Sequence, residues 1–225
     1  MLEIILDTET TGLSISEKHR IVEIGCIELN NQIPTKNIFH EYINPQRSVS
    51  EAAYKVHGYS NDFLSDKKKF SEISEKFINF IQGKKIIIHN AAFDLSFLNY
   101  ELKLIKKKEI IKENIIDTLE IARQKYPGSQ NSLDALCKRF NIDNSKREKH
   151  SALLDCELLR EVYVNLVDQK EPKLNLNSNN NTISEVNKNL ENKILASKKI
   201  IKPNNLELQD HKNYLKTDLQ KNYYN

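Results

Sequence analysis

The sequence predicts an α/β protein, a mixed central sheet flanked by helices with a flexible C-terminal tail, and three observations carry the prediction. Strand-like segments come first, helical periodicities follow, and one further apolar strand lies late among the helices, an order that suits a sheet covered by helices. Leu2 to Asp7 is the first strand, a short apolar run that stops in charge. Arg20 to Leu29 (RIVEIGCIEL) alternates apolar and polar residues as a half-buried strand does, and Ile38 to Ile43 completes an antiparallel meander. Helical spacing takes over at Phe70, Ile73, Phe77, Ile78 and Ile81. Lys85 to Ile88 is the late buried strand; it runs through His89 and Asn90 into a helix with apolar positions Phe93, Phe97, Tyr100 and Leu104. Helices follow at Asp117 to Lys125, Ser132 to Phe140 and Ser151 to Val167.

A length of 225 residues, 39% of them hydrophobic, allows one domain with a real core and an appendage. No stretch approaches the roughly 20 apolar residues of a membrane span, and the N-terminus lacks the layout of a secretory signal, so a cytoplasmic protein without a membrane partner is expected. Cys26, Cys137 and Cys156 are odd in number and set in apolar patterns, which fits packed thiols rather than disulfides or a zinc site. The net charge of +3 falls entirely in residues 171–225, with nine Lys against six acids. Global charge therefore gives the core no claim on nucleic acid, and only local clusters such as Lys146, Arg147 and Lys149 beside His150 would do so. The last 55 residues hold no glycine and thirteen Asn. The boundaries read as a folded domain over 1–168, a linker over 169–181 and a tail over 182–225.

Asp7 and Glu9 are two apart on a strand and so project from one face. Like charges this close repel, and burial penalises each anion unless something positive compensates. Asp94 lies one turn into the helix that leaves the late strand, near the sheet edge if the two strands are neighbours. Ala152, Asp155, Leu159, Val162 and Leu166 form a helical core stripe that puts a carboxylate where an aliphatic residue belongs. Asp155 then needs a partner, and Arg123 or Arg160 would serve, with nothing in the spacing to select either. Together the four acids are neutralised by two divalent cations, and hard oxygen ligands without Cys select Mg²⁺ or Mn²⁺. A pair of such ions is the standard apparatus for attack on a phosphodiester. His150, in the loop ahead of Ser151, is suited to take a proton from the attacking water.

The blocks LDTETTGL, VHGYSNDFL, IIIHNAAFDLSFLNYEL, NSLDALCKRFNIDNSKR and HSALLDCELLREVY run in order from Leu2 to about Leu166. Together they resemble the DEDD exonucleases of the histidine branch, above all the proofreading 3′-to-5′ exonucleases of bacterial replicative polymerases. The resemblance implies a ribonuclease H-like fold, two Mg²⁺ or Mn²⁺ held by Asp7, Glu9, Asp94 and Asp155, and His150 as general base. It also implies contacts to the terminal nucleotide from Thr10, Leu13, His57, Asn90 and Phe93, alongside Asp7, Glu9 and Asp155. One position departs: the family's Glu five residues before the His of VHG is Ala52 here, with Glu51 one place off. The implied substrate is a single-stranded DNA 3′ end. The implied partners are the polymerase catalytic (alpha) subunit, the sliding clamp and a small theta-like subunit. An exoribonuclease of the same fold would use the same residues, and a scaffold with a decayed site would have no reason to keep them.

In the tail, Glu171-Pro-Lys-Leu-Asn-Leu176 resembles clamp-docking peptides, with Glu171 where Gln is usual. Thr182-Ile-Ser-Glu185 reads as a capping box ahead of an apolar face of Ile183, Val186, Leu190 and Ile194, which would seek a partner groove.

Overall fold

The computed structural model describes residues 1–167 and 203–217, which belong to two units. Five strands form one sheet in the order β3-β2-β1-β4-β5: β1 Leu2–Thr10, β2 Ile21–Asn30, β3 Ile33–Tyr42, β4 Lys85–Ile88 and β5 Ile115–Asp117. β1 pairs antiparallel with β2, and β2 with β3, whereas β1–β4 and β4–β5 are parallel. The sheet is therefore mixed, as predicted, and β1 sits where its two halves meet.

Successive residues of β1 go to opposite faces. Ile4 and Leu6 join a core with Phe39 and with α3 (Phe70–Ile81) and α4 (Ala91–Leu104), which contribute Phe77 and Phe97. Ile5 joins the second core with Ile87 and with α5 (Thr118–Lys125), α6 (Leu133–Phe140) and α7 (Ala152–Leu166). Asp7 and Glu9 continue the series of Ile5, so their side chains lie on the face covered by α7. Thr8, one residue out of step, faces α4 and donates to Asp94 on that helix.

Four details differ from the sequence reading. β1 runs through Asp7 and Glu9 to Thr10 because pairing with β2 continues across a bulge at Glu9/Thr10. β3 starts at Ile33, not Ile38. Asp117 ends the unforeseen β5 and caps α5, accepting from Leu119 N at 2.9 Å, so the helix begins at Thr118. Two short helices, α1 (Glu51–His57) and α2 (Asn61–Ser65), are set by Ser50 and Ser60, whose hydroxyls accept from Ala53 N and Phe63 N.

β2 is buried on both faces, so its polar positions are not the solvent side that alternation suggested. Glu28 accepts from Lys84, Asn37 and Thr35, and Glu23 has the hydrogen bonds described below. At Gly25 the strand passes directly under the start of α7: an added Cβ would lie 2.6 Å from the Ala152 carbonyl carbon and the Leu153 nitrogen.

The second described unit is a helix, Asn205–Thr217. Asn204 caps it reciprocally, its side chain accepting from Glu207 N at 2.9 Å while its own N–H donates to Glu207 Oε2 at 2.8 Å. The clamp-like segment Glu171–Leu176 and the capping box at Thr182 lie outside the described residues.

Candidate active site

β1 and β4 are parallel neighbours, so the chain leaves both at the same edge of the sheet. Asp7 and Glu9 stand at that edge on β1. Asp94 arrives from the first turn of α4, where Thr8 N (3.0 Å) and Thr8 Oγ1 (2.7 Å) both donate to its Oδ1. Its helix starts from a tight corner: Asn90 takes a left-handed conformation (φ 66°), and the Asn90 and Ala91 amides each donate to the Asp117 carboxylate at 3.1 Å. Asp155 comes from the first turn of α7, its amide donating to Ser151 O at 2.9 Å.

Crowding these acids has an electrostatic cost. Burial, with Asp94, Asp155, Glu9 and Glu23 nearby, pushes the Asp7 carboxyl well above its ordinary range. Glu9 is pushed up to about 8 by burial and by Asp155, Glu23 and Asp94, against a partial offset from Arg147. Burial raises Asp94 to about 7 despite its bonds from Thr8. The cluster is short of positive charge, and its donors are hard oxygens. That fits a divalent cation.

Asp155 is the exception, because it has a cation already. Arg147 donates to it twice, Nε to Oδ1 at 2.6 Å and Nη2 to Oδ2 at 2.7 Å, and reaches Asp134 Oδ1 with Nη1 at 2.7 Å. Neither Arg123 nor Arg160 is the partner: Arg160 pairs with Glu161, and Arg123 lies exposed on the cleft wall. Arg147 was legible only as part of a basic cluster, since its loop has no periodicity to aim it.

His150 Nδ1 lies 3.5 Å from Asp155 Oδ2 and 3.9 Å from Glu9 Oε1, and accepts from Arg147 Nη2 at 3.0 Å. Burial and the Arg147 charge hold its pKa below the ordinary imidazole value, against the pull of Asp155 and Asp134. A neutral imidazole with its lone pair turned toward the acids is placed to accept a proton. Glu9, His150 and Asp155 each offer a ligand atom within 4.8 Å of the others.

The structure brings every predicted site residue to one cleft of about 1140 Å³. Leu13 is 85% exposed at its rim, in a loop whose turn depends on Gly12, where a Cβ would strike the His19 ring at 2.3 Å. Thr10 Oγ1 donates to Gly12 O at 2.7 Å. Phe93 lines the cleft and also packs on the core, its ring 4.9 Å from that of Phe97. His57 is buried with Nδ1 accepting from Tyr59 N at 3.0 Å, which leaves Nε2 without a hydrogen-bond partner. Ala52 lines the cleft and Glu51 is exposed.

Sequence reasoning missed Glu23, which is completely buried and accepts four hydrogen bonds behind the site. Its place in an alternating strand read as a solvent position.

Residues 4–163 match the protein family described as exonuclease. The chain is similar to the DNA polymerase III subunit epsilon of Rickettsia felis, 48% identical over 226 residues and 97% of each chain. It is also 48% identical to that of Escherichia coli K12, over 72% of this chain and 70% of the relative. Among solved structures, exonuclease X in complex with 5′ overhanging duplex DNA is 25% identical, with a TM-score of 0.58 over 74% of this chain and 92% of that one. The nuclease domain of 3′hExo, a DEDDh family member bound to rAMP, shares the fold at 20% identity, with a TM-score of 0.65 over 75% of this chain and 92% of that one.

Proposed function

Because the chain belongs to the exonuclease family, and within it to the DNA polymerase III epsilon subunits, we propose that the carboxylate cleft is where it hydrolyses the terminal phosphodiester of mismatched DNA 3′ ends. The protein is a 3′-5′ exonuclease subunit that requires divalent metal ions. The observation that carries the site assignment is the convergence of Asp7, Glu9, Asp94 and Asp155, with His150, on one cleft at the edge where β1 and β4 end.

Asp7, Glu9, Asp94 and Asp155 would hold two Mg²⁺ or Mn²⁺ ions, which when bound supply the positive charge that activates water and stabilises the leaving oxygen. Water attacks phosphorus, the bond from phosphorus to the 3′ oxygen of the preceding nucleotide breaks, and a nucleoside monophosphate leaves. The water's proton goes to His150 Nδ1, the nitrogen facing Glu9 and Asp155, once water takes the place of the Arg147 N–H there. The departing 3′ oxygen is reprotonated from solvent.

His57 stands in the cleft wall beside the terminal nucleotide, its tautomer set by the Tyr59 amide, which fixes Nδ1 as the acceptor and leaves the proton on the buried Nε2. Thr10, Asn90, Leu13 and Phe93 supply the polar and apolar walls, Leu13 as a wedge at the rim and Phe93 as a stacking face. A mismatched end unpairs at lower cost than a matched one, so a cleft that accepts single strands removes errors without reading sequence.

Residues 1–168 are the catalytic domain, 169–181 the linker and 182–225 the tail that binds the polymerase catalytic (alpha) subunit. Residues 171–176 form the sliding-clamp peptide, and a small theta-like subunit is a further partner. Among the described residues no helix is long and apolar enough to cross a membrane, in keeping with a cytoplasmic site of action.

The deciding experiment uses purified full-length chain with matched 3′-labelled single-stranded DNA and RNA oligomers, Mg²⁺ or Mn²⁺, and EDTA as control. Release of mononucleotides from DNA, abolished by EDTA, is expected. Preferential release from RNA would reassign the substrate to RNA ends.

A further inference from the structure

Glu23 takes no part in the reaction as written, yet among the described residues it is the buried acid with the most hydrogen bonds. Its Oε1 accepts from His40 Nε2 at 2.7 Å and Ser151 Oγ at 3.1 Å, and its Oε2 from Tyr59 Oη at 2.7 Å and Ala152 N at 2.9 Å. Burial pushes this carboxyl up, but the bonds from His40, Ala152 and Tyr59 outweigh it and hold the group below its ordinary range as a stable anion. These four donors come from three parts of the chain. His40 is on β3, Tyr59 follows the end of α1, and Ser151 and Ala152 begin α7 directly after His150.

The bonds converge on the two sides of the cleft. On one side, the Tyr59 amide fixes His57, and the two rings stack at 4.8 Å and 25°. On the other, the first residues of α7 carry His150 just ahead and Asp155 one turn on. A second strap closes the same gap from above: His150 N donates to Val56 O at 3.1 Å and Lys149 Nζ to Lys55 O at 2.7 Å. The wall that faces the terminal nucleotide and the helix that bears the base are thus tied at two levels, and the lower tie passes through one side chain.

We propose that Glu23 is a positioning residue for the nuclease reaction, holding Ser151–Ala152 and Tyr59 so that His150 and Asp155 keep a fixed place against the His57 wall. The proposal rests on the exonuclease reading above. It predicts a split between turnover and binding. Leu13, Asn90 and Phe93 make none of these bonds and the Tyr59 amide still fixes His57 without Glu23, so the strand keeps most of its contacts, while the start of α7 loses its lower anchor, and a shift of about 1 Å at reacting groups is worth on the order of 10²-fold in rate.

The test compares full-length wild type, Glu23→Ala and Glu23→Gln on a short single-stranded DNA with saturating Mn²⁺. Glutamine conserves the hub. Its amide oxygen can accept from Tyr59 and Ala152, and its amide nitrogen can donate to Ser151 Oγ and to unprotonated His40 Nε2. Expected are a fall in kcat of roughly 30-fold for the Ala variant with KM within about threefold of wild type, and recovery to within about threefold of wild-type kcat for the Gln variant. An Ala variant with full kcat, a loss confined to KM, or a Gln variant as slow as the Ala variant overturns the proposal. If the Ala variant shows no cooperative melting, Tyr59→Phe combined with Ser151→Ala takes its place. Those changes remove two of the four donors; kcat at least about fivefold lower with KM unchanged supports the proposal, and unchanged kcat overturns it. Wild-type protein inactive on DNA in this assay would overturn the exonuclease reading instead, a result separable from a failure of Glu23 alone.

Discussion

Buried acids occur in two very different settings in this protein. Glu101 on α4 is buried and paired: Arg20 Nε and Nη2 donate to its two oxygens at 2.6 Å each, and Ile21 N adds a longer contact. Asp7, Glu9 and Asp94 are crowded together with pKa values driven upward. In the first setting the protein has supplied the counter-charge itself. In the second it has left the charge to be supplied from outside, which marks a site rather than a strut.

Asp155 stands between the two settings, and mutation there gives the largest contrast. Asp7→Ala and Asp155→Ala are each expected to lower turnover by about 10³-fold or more, since both remove several kcal/mol of metal-borne charge stabilisation. Their effects on folding should diverge. In metal-free buffer Asp7→Ala relieves repulsion and raises the melting temperature, whereas Asp155→Ala takes two charge-assisted hydrogen bonds from the Arg147 side chain, only 7% exposed, leaving it Asp134 alone as a carboxylate partner, and lowers it. Equal shifts in calorimetric melting would break the distinction between paired and unpaired acids.

His150→Ala sharpens it further, with an expected fall in turnover of about 10²- to 10⁴-fold and Mn²⁺ affinity nearly unchanged by titration calorimetry. Much weaker Mn²⁺ binding with turnover preserved at saturating metal would make His150 a ligand. At the structural end, Glu101→Ala should destabilise the fold by about 3 kcal/mol in urea unfolding, the usual cost of leaving one member of a buried pair alone. Turnover of the folded fraction should be unaffected.

A smaller effect comes from pH. Glu9 and Asp94 titrate higher in the folded chain than the roughly 4 of an unfolded one, so between pH 4 and about 8 the folded state holds more protons. Stability from these groups is therefore full below the unfolded value and is lost as pH rises through the folded values. Metal-free protein should lose on the order of 5 °C in melting temperature between pH 5 and pH 8, and saturating Mg²⁺ should flatten that slope. The smallest effect on catalysis is expected from cutting after Lys170: hydrolysis of short single strands persists while copurification with the polymerase catalytic subunit is lost. Equal recovery of cut and uncut chains would place that contact in the core.

The acids of the site were the ones most legible in the sequence. Asp155 broke an aliphatic stripe, Asp7 and Glu9 stood two apart at the end of an apolar run, and Asp94 followed a buried strand into a helix. Such residues offend a periodic pattern, and the offence is visible without coordinates. The partners were not legible. Arg147 lies in an irregular loop, where a long side chain can reach in any direction. Glu23 obeyed the alternation of its strand, and only the covering of β2 by α7 makes its position interior. β5 spans three residues, too few to show a period. Patterns expose what disturbs an element; pairings between elements need the fold.

Gly25 gives this architecture an unusual vulnerability. Residue 25 touches no nucleotide and carries no charge, yet the backbone at the start of α7 rests against it so closely that even a methyl group has no room. Adding one would lift the start of that helix away from β1 and open the distance between Asp155 and Asp7, which pairs with Gly25 in the register of the sheet. With the carboxylates spread apart, mispaired 3′ ends would be cut slowly. What would change is heredity: base substitutions left in place at each round of replication, a mutator lineage founded on one hydrogen replaced by carbon.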